Sequence, residues 1–361
     1  MGDAKQKMKA GIYDPYLDTL GGGERYTMTV AYCLSQSGYQ VDVFWDDKSI
    51  IPKIKERLGI KVEQINFVPN VFNKAFKIGK KELSNYDLIF FLSDGSIPFL
   101  PSKKNILHFQ VPFHDVNGRS LLNRIKLQKI SAVVCNSNFT KRFIDKEYGV
   151  NSLVIYPPVD AKTFKALKKE NIILSVGRFT DLLHNKRQDV LINEFKRMIK
   201  SNLSEFIKEW KLIIAGGDKE GKEFVAKLKK MAVGYPIEII TNPCFDDLNQ
   251  WYGRAKIFWT AAGFGINEDK EPERVEHFGI TTVEAMAAGC VPVVIRKGGQ
   301  PEIVKEGING LLWEKVEELV EKTASLIKEP KILAKLAKET RKRANDFSQA
   351  RFCQQLMGII R

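Results

Sequence analysis

The amino-acid sequence predicts two α/β domains, each built around a parallel sheet. Its 361 residues suit two domains of ordinary size. The chain opens with an apolar run at Met8–Tyr13, a turn at Gly21–Gly23, a helical period over Glu24–Ser37 and a second apolar run at Val41–Trp45. This order of strand, glycine-rich turn, helix and strand is typical of a doubly wound sheet. The alternation begins again after Pro157-Pro158, which indicates a second domain of similar build.

The first domain is expected over residues 1–157. Apolar side chains share one face of its first helix, at Tyr26, Val30, Cys33 and Leu34, and Gly38 follows as a cap. Further strands are predicted at Leu88–Leu92, Asn105–Phe109, Ala132–Cys135 and Leu153–Tyr156. Further helices are predicted at Leu121–Lys129 and Phe139–Glu147, the second capped by the polar residues that precede it.

A linker is expected over residues 158–171, because the two prolines are followed by a charged run. The second domain then covers residues 172–345. Its strands are predicted at Ile172–Val176, Leu212–Ala215, Ile237–Ile240, Ile257–Thr260 and Val291–Ile295. Its helices are predicted at Val190–Lys200, Glu220–Met231, Asp246–Arg254, Val316–Lys328 and Lys331–Ala344. Residues 346–361 are predicted as a last helix, with an apolar stripe at Phe352, Leu356 and Ile359 or Ile360.

Composition excludes a disordered chain and leaves three classes of partner open. Apolar residues make up 44% of the sequence, enough for substantial cores. The net charge of +14 suits nucleic acid, an anionic membrane or phosphorylated substrates, but the lysines are scattered and most are expected on solvated faces. No apolar run approaches the roughly 18 residues needed to span a bilayer. The start, MGDAKQK, lacks the apolar core of a signal peptide, and Met8 is a candidate for the natural start.

The five cysteines are predicted to be buried thiols in a reducing compartment. They are widely separated, and each lies in or beside an apolar run, at Cys33, Cys135, Cys244, Cys290 and Cys353. None forms the C-x-x-C pair that is typical of zinc sites. No other set of Asp, His or Cys has metal-ligand spacing, so no metal site is expected.

The stretch Glu276–Gly289, EHFGITTVEAMAAG, is the central candidate for a site. Thr281-x-x-Glu284 predicts a capping box that opens a helix, which Gly289 can close in the left-handed conformation. The first turn of a helix has free N–H groups and a partial positive charge, so it suits a diphosphate. Glu276 and Glu284 beside such a site fit a ligand that carries phosphates and hydroxyls, such as a nucleotide sugar. Alternatively, Glu284 is only a capping residue and Glu276 a solvated loop charge.

Other candidate residues also follow predicted strands, at Gly21–Gly23, His108, Arg178 and Gly216. Ligands of open parallel sheets bind at the carboxyl ends of strands, so these positions favour a cleft between two such sheets. The three glycines would let the backbone approach a phosphate or sugar, although they match neither a P-loop nor G-x-G-x-x-G. The alternative for them is a flexible turn.

Two cations and a histidine complete the candidates. Arg178 and Lys186 could clamp a diphosphate and neutralise a leaving nucleoside diphosphate, or they are two of many cations in a basic protein. His108, in ILHFQVP, could face a cleft from a strand end, hold a sugar hydroxyl or bear transient charge. His108 and His277 could equally be structural residues.

Together these residues resemble the retaining glycosyltransferases of family 4, which have the GT-B fold of two Rossmann-like, doubly wound domains facing across a cleft. The resemblance covers nearly the whole chain, through GGGER, HFQVP, VVCNSNFTKRFI, IYPPVD, SVGRF, EHFGITTVEAMAAGCVPVV, GGQPEIV and NGLLW. Its most specific part is the spacing of the two glutamates, taken with Arg178 and Lys186. It is nearest to members that transfer mannose or glucose to lipid-linked or polysaccharide acceptors.

For the C-terminal domain, the resemblance implies a site for the nucleotide-sugar donor. Arg178 and Lys186 would bind the diphosphate, helped by the backbone amides of Gly279–Thr281, including that of Ile280. Glu284 would accept hydrogen bonds from the ribose hydroxyls, and Glu276 would contact the donor sugar. The base is expected near Asn242–Phe245, and the sequence does not choose between a GDP- and a UDP-sugar.

For the N-terminal domain, the resemblance implies acceptor binding. Gly22 and Gly23 would face the phosphates or the sugar, and His108 would lie by the reacting centre. The last helix, 346–361, would cross back to this domain. The family needs no metal or cofactor beyond its donor, and it is thought to retain configuration by a front-face route, which needs no hydrolase-type carboxylate pair. The charged segment Phe264–Val275 departs from the pattern, either as a loop that orders on binding or as a solvated insertion.

We therefore predict a hexosyltransferase that acts on a glycan or lipid-linked acceptor in the cytoplasm, with no nucleic-acid partner. The sequence also leaves open a peripheral contact with the cytoplasmic face of an anionic membrane. One alternative is a nucleotide-sugar epimerase on a similar fold, which would need no acceptor. Another is a basic protein that binds nucleic acid or an anionic membrane, with salt-sensitive binding and no turnover.

Overall fold

The computed structural model describes residues 7–73, 82–181, 185–219 and 221–361. The chain divides into two units. The first consists of Met1–Pro158 with Gln349–Arg361, and the second of Val159–Ser348. Each unit contains one parallel sheet flanked by helices, which confirms the predicted fold class.

The first unit holds a seven-stranded sheet in the order β3-β2-β1-β4-β5-β6-β7. Its strands are β1 Lys9–Tyr13, β2 Gln40–Phe44, β3 Ile65–Val68, β4 Leu88–Leu92, β5 Lys104–Phe109, β6 Ala132–Cys135 and β7 Leu153–Val154. Every neighbouring pair is parallel. The order reverses at β1, so the crevice beyond the carboxyl end of β1 is where this type of sheet binds ligands.

The second unit holds a six-stranded sheet in the order β10-β9-β8-β11-β12-β13. Its strands are β8 Ile172–Val176, β9 Lys211–Gly216, β10 Ile237–Thr241, β11 Ile257–Thr260, β12 Val291–Ile295 and β13 Leu311–Trp313. All pairs are again parallel. The order reverses at β8, which places the corresponding crevice at the strand that precedes Gly177 and Arg178.

Among the residues that the structure describes, the helices match the predicted ones within a few residues, apart from three that were not predicted. In chain order they are α1 Gly22–Gln36, α2 Ile50–Leu58, α3 Leu121–Leu127, α4 Asn138–Tyr148, α5 Gln188–Lys200, α6 Ser204–Ile207, α7 Lys222–Ala232, α8 Phe245–Arg254, α9 Ile280–Ala287, α10 Gln300–Ile303, α11 Val316–Lys328, α12 Pro330–Ala344 and α13 Gln349–Ile360. The unpredicted helices are α2, α6 and α10. No helix in the described residues is long and apolar enough to cross a bilayer.

The final helix, α13, packs against α1 in the first unit. Its buried side chains Phe352, Leu356 and Ile360 join the core that contains Tyr26, and the Phe352 ring meets the Tyr26 ring edge-on at 4.8 Å. A disulfide between Cys33 and Cys353 joins the two helices. The prediction of five buried thiols is therefore wrong: two cysteines are paired, because packing brings distant stretches of chain together. A third, Cys244, is exposed.

The segment expected as a linker, 158–171, packs as part of the second unit. Its Phe164 is buried, with its ring edge-on to that of Tyr252 at 5.5 Å. Lys169 donates to the backbone carbonyls of Ala255 and Ala288, each at 2.7 Å. These contacts hold the segment against α8 and the end of α9. The segment is therefore packed within the second unit, and at least Lys169 has specific hydrogen-bond partners there.

Candidate active site

The helix that carries Glu284 begins differently from the prediction. Gly279 is the N-cap of α9, with φ +114°, and no side chain caps the helix. A Cβ at this position would lie 2.6 Å from Nε2 of Gln300, so the backbone conformation and the packing both require glycine. The predicted Thr281–Glu284 capping box is therefore wrong, since Thr281 lies inside the first turn. The amides of Ile280 and Thr281 are left without a side-chain cap, which keeps the anion-binding character of this helix end.

Glu284 is a buried carboxylate with a defined donor. The hydroxyl of Tyr252, on α8, donates to its Oε2 at 2.9 Å, and both side chains are buried. A buried carboxylate needs hydrogen-bond donors, because desolvation without them is costly. Tyr252 therefore fixes the orientation of Glu284 on α9, and Glu284 does not serve the helix as a cap.

Lys186 and Glu276 form an ion pair. Nζ lies 2.7 Å from Oε2, and each side chain is about one-fifth exposed. The aliphatic part of Lys186 crosses Gly177, where a Cβ would lie 2.8 Å from its Cγ. The lysine thus passes directly over the carboxyl end of β8. The structure brings together two predicted site residues that lie 90 positions apart in the sequence.

A glycine pair holds the backbone of Glu276. The Gly299 amide donates to the Glu276 carbonyl at 2.8 Å. Gly298 has φ +58°, and a Cβ there would lie 2.0 Å from the same carbonyl oxygen. The GGQPEI motif therefore serves the site by letting the loop after β12 press against the loop that carries Glu276.

The charged segment that precedes Glu276 is anchored at several points. Nη1 of Arg187 donates to the Phe264 carbonyl at 2.9 Å, and the Gly298 amide donates to the Glu268 carboxylate at 2.8 Å. Val275, directly before Glu276, is buried. These contacts bind parts of the segment to its neighbours, whereas Asn267, Asp269 and Lys270 are exposed. Ordering of the segment on ligand binding stays a prediction.

Arg178 follows β8 at the reversal point of the sheet, and its side chain is exposed. Nε2 of Gln188 donates to the Arg178 carbonyl at 3.1 Å, which fixes the backbone there. The β9 end lies close by, since a Cβ on Gly216 would lie 1.9 Å from the Gly177 carbonyl. Within the described residues, Arg178 forms no ion pair, so the structure places it at the predicted strand end without joining it to Lys186 and Glu276.

The region proposed for the base also lies at a strand end. Asn242 follows β10 with φ +51°, and its Nδ2 donates to the Asp218 carboxylate at 2.7 Å. Cys244 caps α8 by accepting from the Asp247 amide at 3.4 Å. The loops after β9 and β10 are thus fixed to each other, and the role of this region in base binding stays a prediction.

The glycine loop of the first unit starts α1. Gly22 and Gly23 are its first two residues, and the Gly21 amide donates to the Glu24 carboxylate at 2.6 Å. Nε2 of Gln110 donates to the Gly23 carbonyl at 3.0 Å, and a Cβ on Gly23 would lie 2.3 Å from Oε1 of Gln110. Gly23 therefore allows close packing against the segment after β5. Gly22 and Gly23 lie in the first turn of a helix and not in a turn between elements.

Sequence reasoning missed Asp14, which directly follows β1 at the reversal point of the first sheet. The side chain is fully buried, and its Oδ1 accepts from the Tyr16 amide at 2.9 Å. Burial, and then the neighbouring Glu24 carboxylate, raise its pKa to about 7. An Asp between a buried strand and a glycine-rich turn was a signal that could have found it.

His108 is a buried residue of the first unit. It lies within β5, fully buried, with its ring stacked on Tyr26 at 4.1 Å between centroids and Nδ1 3.0 Å from the Val134 carbonyl. Burial lowers its pKa to about 3, so it is neutral at ordinary pH. Its Nε2 has no hydrogen-bond partner among the described residues, and its contact with a donor sugar stays a prediction. It supports α1 through Tyr26.

Two expectations remain, the role of His277 and the absence of a metal site. Nε2 of His277 lies 3.3 Å from the Glu273 carbonyl, which suits a structural role beside Glu276. Across the described parts of the chain, no cluster of three or more His, Cys, Asp or Glu side chains could hold a metal ion. Metal independence stays a prediction.

Both sequence relatives and solved structures resemble this chain. The chain is 27% identical over 247 residues to the GDP-Man:Man(3)GlcNAc(2)-PP-Dol alpha-1,2-mannosyltransferase of Dictyostelium discoideum, which covers 63% of this chain and 46% of that protein. The chain spans about half the length of the mannosyltransferases it matches. A Rickettsia africae glycosyltransferase structure has a TM-score of 0.78 at 19% identity, covering 98% of each chain. Anabaena HepE in complex with UDP and glucose has a TM-score of 0.71 at 18% identity, covering 97% of this chain and 98% of that one.

Two family profiles match adjoining parts of the sequence. The profile described as Glycosyltransferase Family 4 matches residues 20–163, and that described as Glycosyl transferases group 1 matches residues 159–343. The second match alone covers more than half of the chain and contains the Lys186–Glu276 pair and α9. The chain therefore belongs to the glycosyltransferases of family 4 and has the GT-B fold.

Proposed function

We propose that the protein transfers a hexose from a nucleoside diphosphate sugar to an acceptor hydroxyl, with retention of anomeric configuration. The observation that carries this proposal is the Lys186–Glu276 ion pair at 2.7 Å, because Glu276 lies three residues before Gly279, the N-cap of α9, where no side chain caps the helix. A cation over a strand end, beside a helix N-terminus, is a site for a diphosphate. The carboxylates of Glu276 and Glu284 on either side of that helix start suit the hydroxyls of a sugar and a ribose.

The two members of the ion pair can bind different parts of the donor, Lys186 the diphosphate and Glu276 the sugar. A diphosphate carries more negative charge than one carboxylate, so it competes with Glu276 for Nζ of Lys186. After this exchange, Glu276 accepts hydrogen bonds from the donor sugar while Lys186 holds the phosphates. Because the pair is only partly exposed, this exchange takes place where electrostatic interactions are stronger than in bulk water. Arg178, exposed at the same strand end, adds a second permanent cation for the phosphates.

The reaction itself breaks the bond between the anomeric carbon and the phosphate oxygen and forms one to the acceptor oxygen. The proton of the acceptor hydroxyl passes to the leaving phosphate, so charges and atoms balance without a protein base. Lys186, Arg178 and the amides at the start of α9 stabilise the charge that grows on the leaving diphosphate.

The relatives favour a mannose donor and a lipid-linked acceptor. The matched mannosyltransferases are named for GDP-Man and a PP-Dol acceptor, although the alignments cover about half of their length. The Anabaena neighbour was solved with UDP and glucose, which keeps UDP-glucose as a competing donor. We accordingly propose GDP-mannose as donor, a lipid-linked glycan as acceptor and a cytoplasmic site of action.

The test measures thermal stability with GDP, GDP-mannose, UDP and UDP-glucose in the presence of a metal chelator. At a hundred times its dissociation constant, a ligand that binds the folded state adds about 2.7 kcal/mol of stability. We expect one base to be selected, and we expect the shift to be lost in Lys186→Met but kept in Lys229→Met, a change at an exposed lysine of α7.

Product analysis then separates the alternatives. Consumption of the donor only when a polyprenyl diphosphate glycan is present, with an α-linked product, supports a retaining transferase. Conversion of the sugar nucleotide without any acceptor would support the epimerase instead. If no nucleotide shifts the melting temperature, or if Lys186→Met responds as the wild type does, the donor site proposed here is refuted.

A further inference from the structure

Helix α3 of the first unit leaves its apolar side chains in solvent. None of its seven residues is buried. Leu121 is 74% exposed, Leu122 61% and Ile125 51%, and Val116 lies exposed in the loop just before. Leu121 and Leu122 stand four and three residues before Ile125, so the three side chains share one face of the helix. We call this face, with Val116, the α3 patch.

The α3 patch is held in place by hydrogen bonds. The carboxylate of Glu147, on α4, accepts from the amides of Asp115, Val116 and Gly118 at 3.1, 3.2 and 2.9 Å. The hydroxyl of Ser120 caps α3 by accepting from the Asn123 amide at 3.3 Å. The apolar residues are therefore displayed by an anchored loop and a capped helix. An exposed apolar face that is held so firmly is typical of an interaction surface.

Cations surround the α3 patch. Arg119, Arg124, Lys126 and Lys129 lie within or beside α3. In the described part of the chain, no carboxylate pairs with Arg124, Lys126 or Lys129. Two acidic groups of this region already have partners, since Glu147 accepts from three backbone amides and Asp115 lies 2.9 Å from Nδ1 of His114. The patch therefore combines exposed leucine and isoleucine with a positively charged rim.

We propose that the α3 patch docks on the surface of an anionic lipid bilayer. Leu121, Leu122 and Ile125 would enter the boundary between headgroups and acyl chains, and the surrounding cations would bind the lipid phosphates. A second copy of the chain is a poorer partner, because a symmetric contact would press the same cations against one another. The proposal rests on the proposed function in one respect: a lipid-linked acceptor gives an enzyme reason to bind a membrane.

Flotation with lipid vesicles tests the surface directly and requires no donor or acceptor. Wild-type protein is mixed with vesicles of phosphatidylcholine alone, or with about one-third phosphatidylglycerol, at low and high salt. We expect binding to the anionic vesicles only, weakened by salt. Leu121→Asp with Ile125→Asp should abolish it, and Arg124→Glu should weaken it at least fivefold, since one cation near an anionic surface contributes a factor of about five.

The matched controls lie on the second unit. Val233→Asp replaces an apolar side chain that is 76% exposed, and Lys229→Glu reverses an exposed cation. Both should bind vesicles as the wild type does, and all variants should keep the nucleotide-dependent thermal shift, so a failed fold or a failed donor site is seen separately. Absence of binding to anionic vesicles, or equal binding by the double variant, overturns the proposal. A concentration-dependent dimer in light scattering that the double variant loses would overturn it in favour of a second copy.

Discussion

Asp14 makes the stability of the first unit depend on pH in an unusual direction. Its carboxyl is fully buried beside Glu24, and its pKa is raised from 3.8 to about 7, chiefly by burial. We expect Asp14→Asn to remove this dependence. The amide has nearly the same shape, keeps an oxygen for the Tyr16 amide and carries no charge at any pH.

The size of the effect follows from the raised pKa. Between about 4 and 7 the folded state keeps a proton on Asp14 that the unfolded state releases, so the unfolding free energy falls as pH rises. Each unit of pH in this window is worth 1.36 kcal/mol, so the whole loss is about 4 kcal/mol. About 3 kcal/mol of it falls between about pH 5 and pH 8, which corresponds to roughly a hundredfold change in the opening equilibrium.

Hydrogen exchange detects this change without confusing the two units. The exchange of peptides that contain β1 is compared between wild type and Asp14→Asn at the same pH, so the intrinsic pH dependence of exchange cancels. We expect the protection of wild-type β1, relative to the variant, to fall roughly a hundredfold between about pH 5 and pH 8.

Two controls accompany the measurement. Peptides from β8, in the second unit, should show no difference between the proteins. Asp18→Asn changes an exposed carboxylate four residues away and should keep the wild-type response. If the ratio of β1 protection between wild type and Asp14→Asn stays constant over this pH range, the raised pKa is refuted. If the variant does not fold, the loss of β1 protection relative to β8 in the wild type alone still decides the question.

Two further predictions concern covalent and hydrogen-bonded links. Cys353→Ser should lower the unfolding free energy of the first unit by about 2–4 kcal/mol, because the disulfide with Cys33 closes a sequence separation of 320 residues. Dithiothreitol should cause the same loss in the wild type and no further loss in Cys353→Ser. An equal effect of dithiothreitol on both proteins would show that the disulfide is not the cause. Tyr252→Phe should weaken nucleotide binding about five- to tenfold, because one hydrogen bond to a charged group is lost from Glu284. Calorimetric titration measures this, and unchanged affinity would show that Tyr252 does not position Glu284.

The central strands could be predicted because parallel sheets bury both faces. Leu88–Leu92 and Val291–Ile295 are apolar throughout, all their residues are buried, and their observed bounds equal the predicted ones. The unpredicted strands lie at the sheet edges. β3 alternates buried and exposed residues and β13 has only three residues, so neither presents a continuous apolar run. Edge position removes the signal on which the prediction depended.

In the candidate site, local sequence patterns predicted positions but not the contacts between distant residues. The spacing of Glu276 and Glu284 directed attention to the start of α9, but the predicted capping box is wrong because Gly279 is the N-cap of that helix. Glycine is required at position 279 because Gln300, on the next helix, packs against it. No local sequence pattern contains this contact. The Lys186–Glu276 pair has the same origin, since both residues were placed at strand ends but only the sheet topology makes them partners. His108 shows a related limit: a polar residue near a strand end was expected to be accessible, and aromatic packing buries it.

The charge at the two reversal points explains why donor phosphates are assigned to the second unit. Beyond β1 lie two buried carboxyl groups, Asp14 and Glu24, and an anion would meet unfavourable charge there whenever they ionise. Beyond β8 lie Arg178, Lys186 and the uncapped start of α9, all of which favour an anion. The glycine loop of the first unit therefore attracts an anion less than the start of α9 does. The roles of Gly22 and Gly23 toward a donor stay predictions.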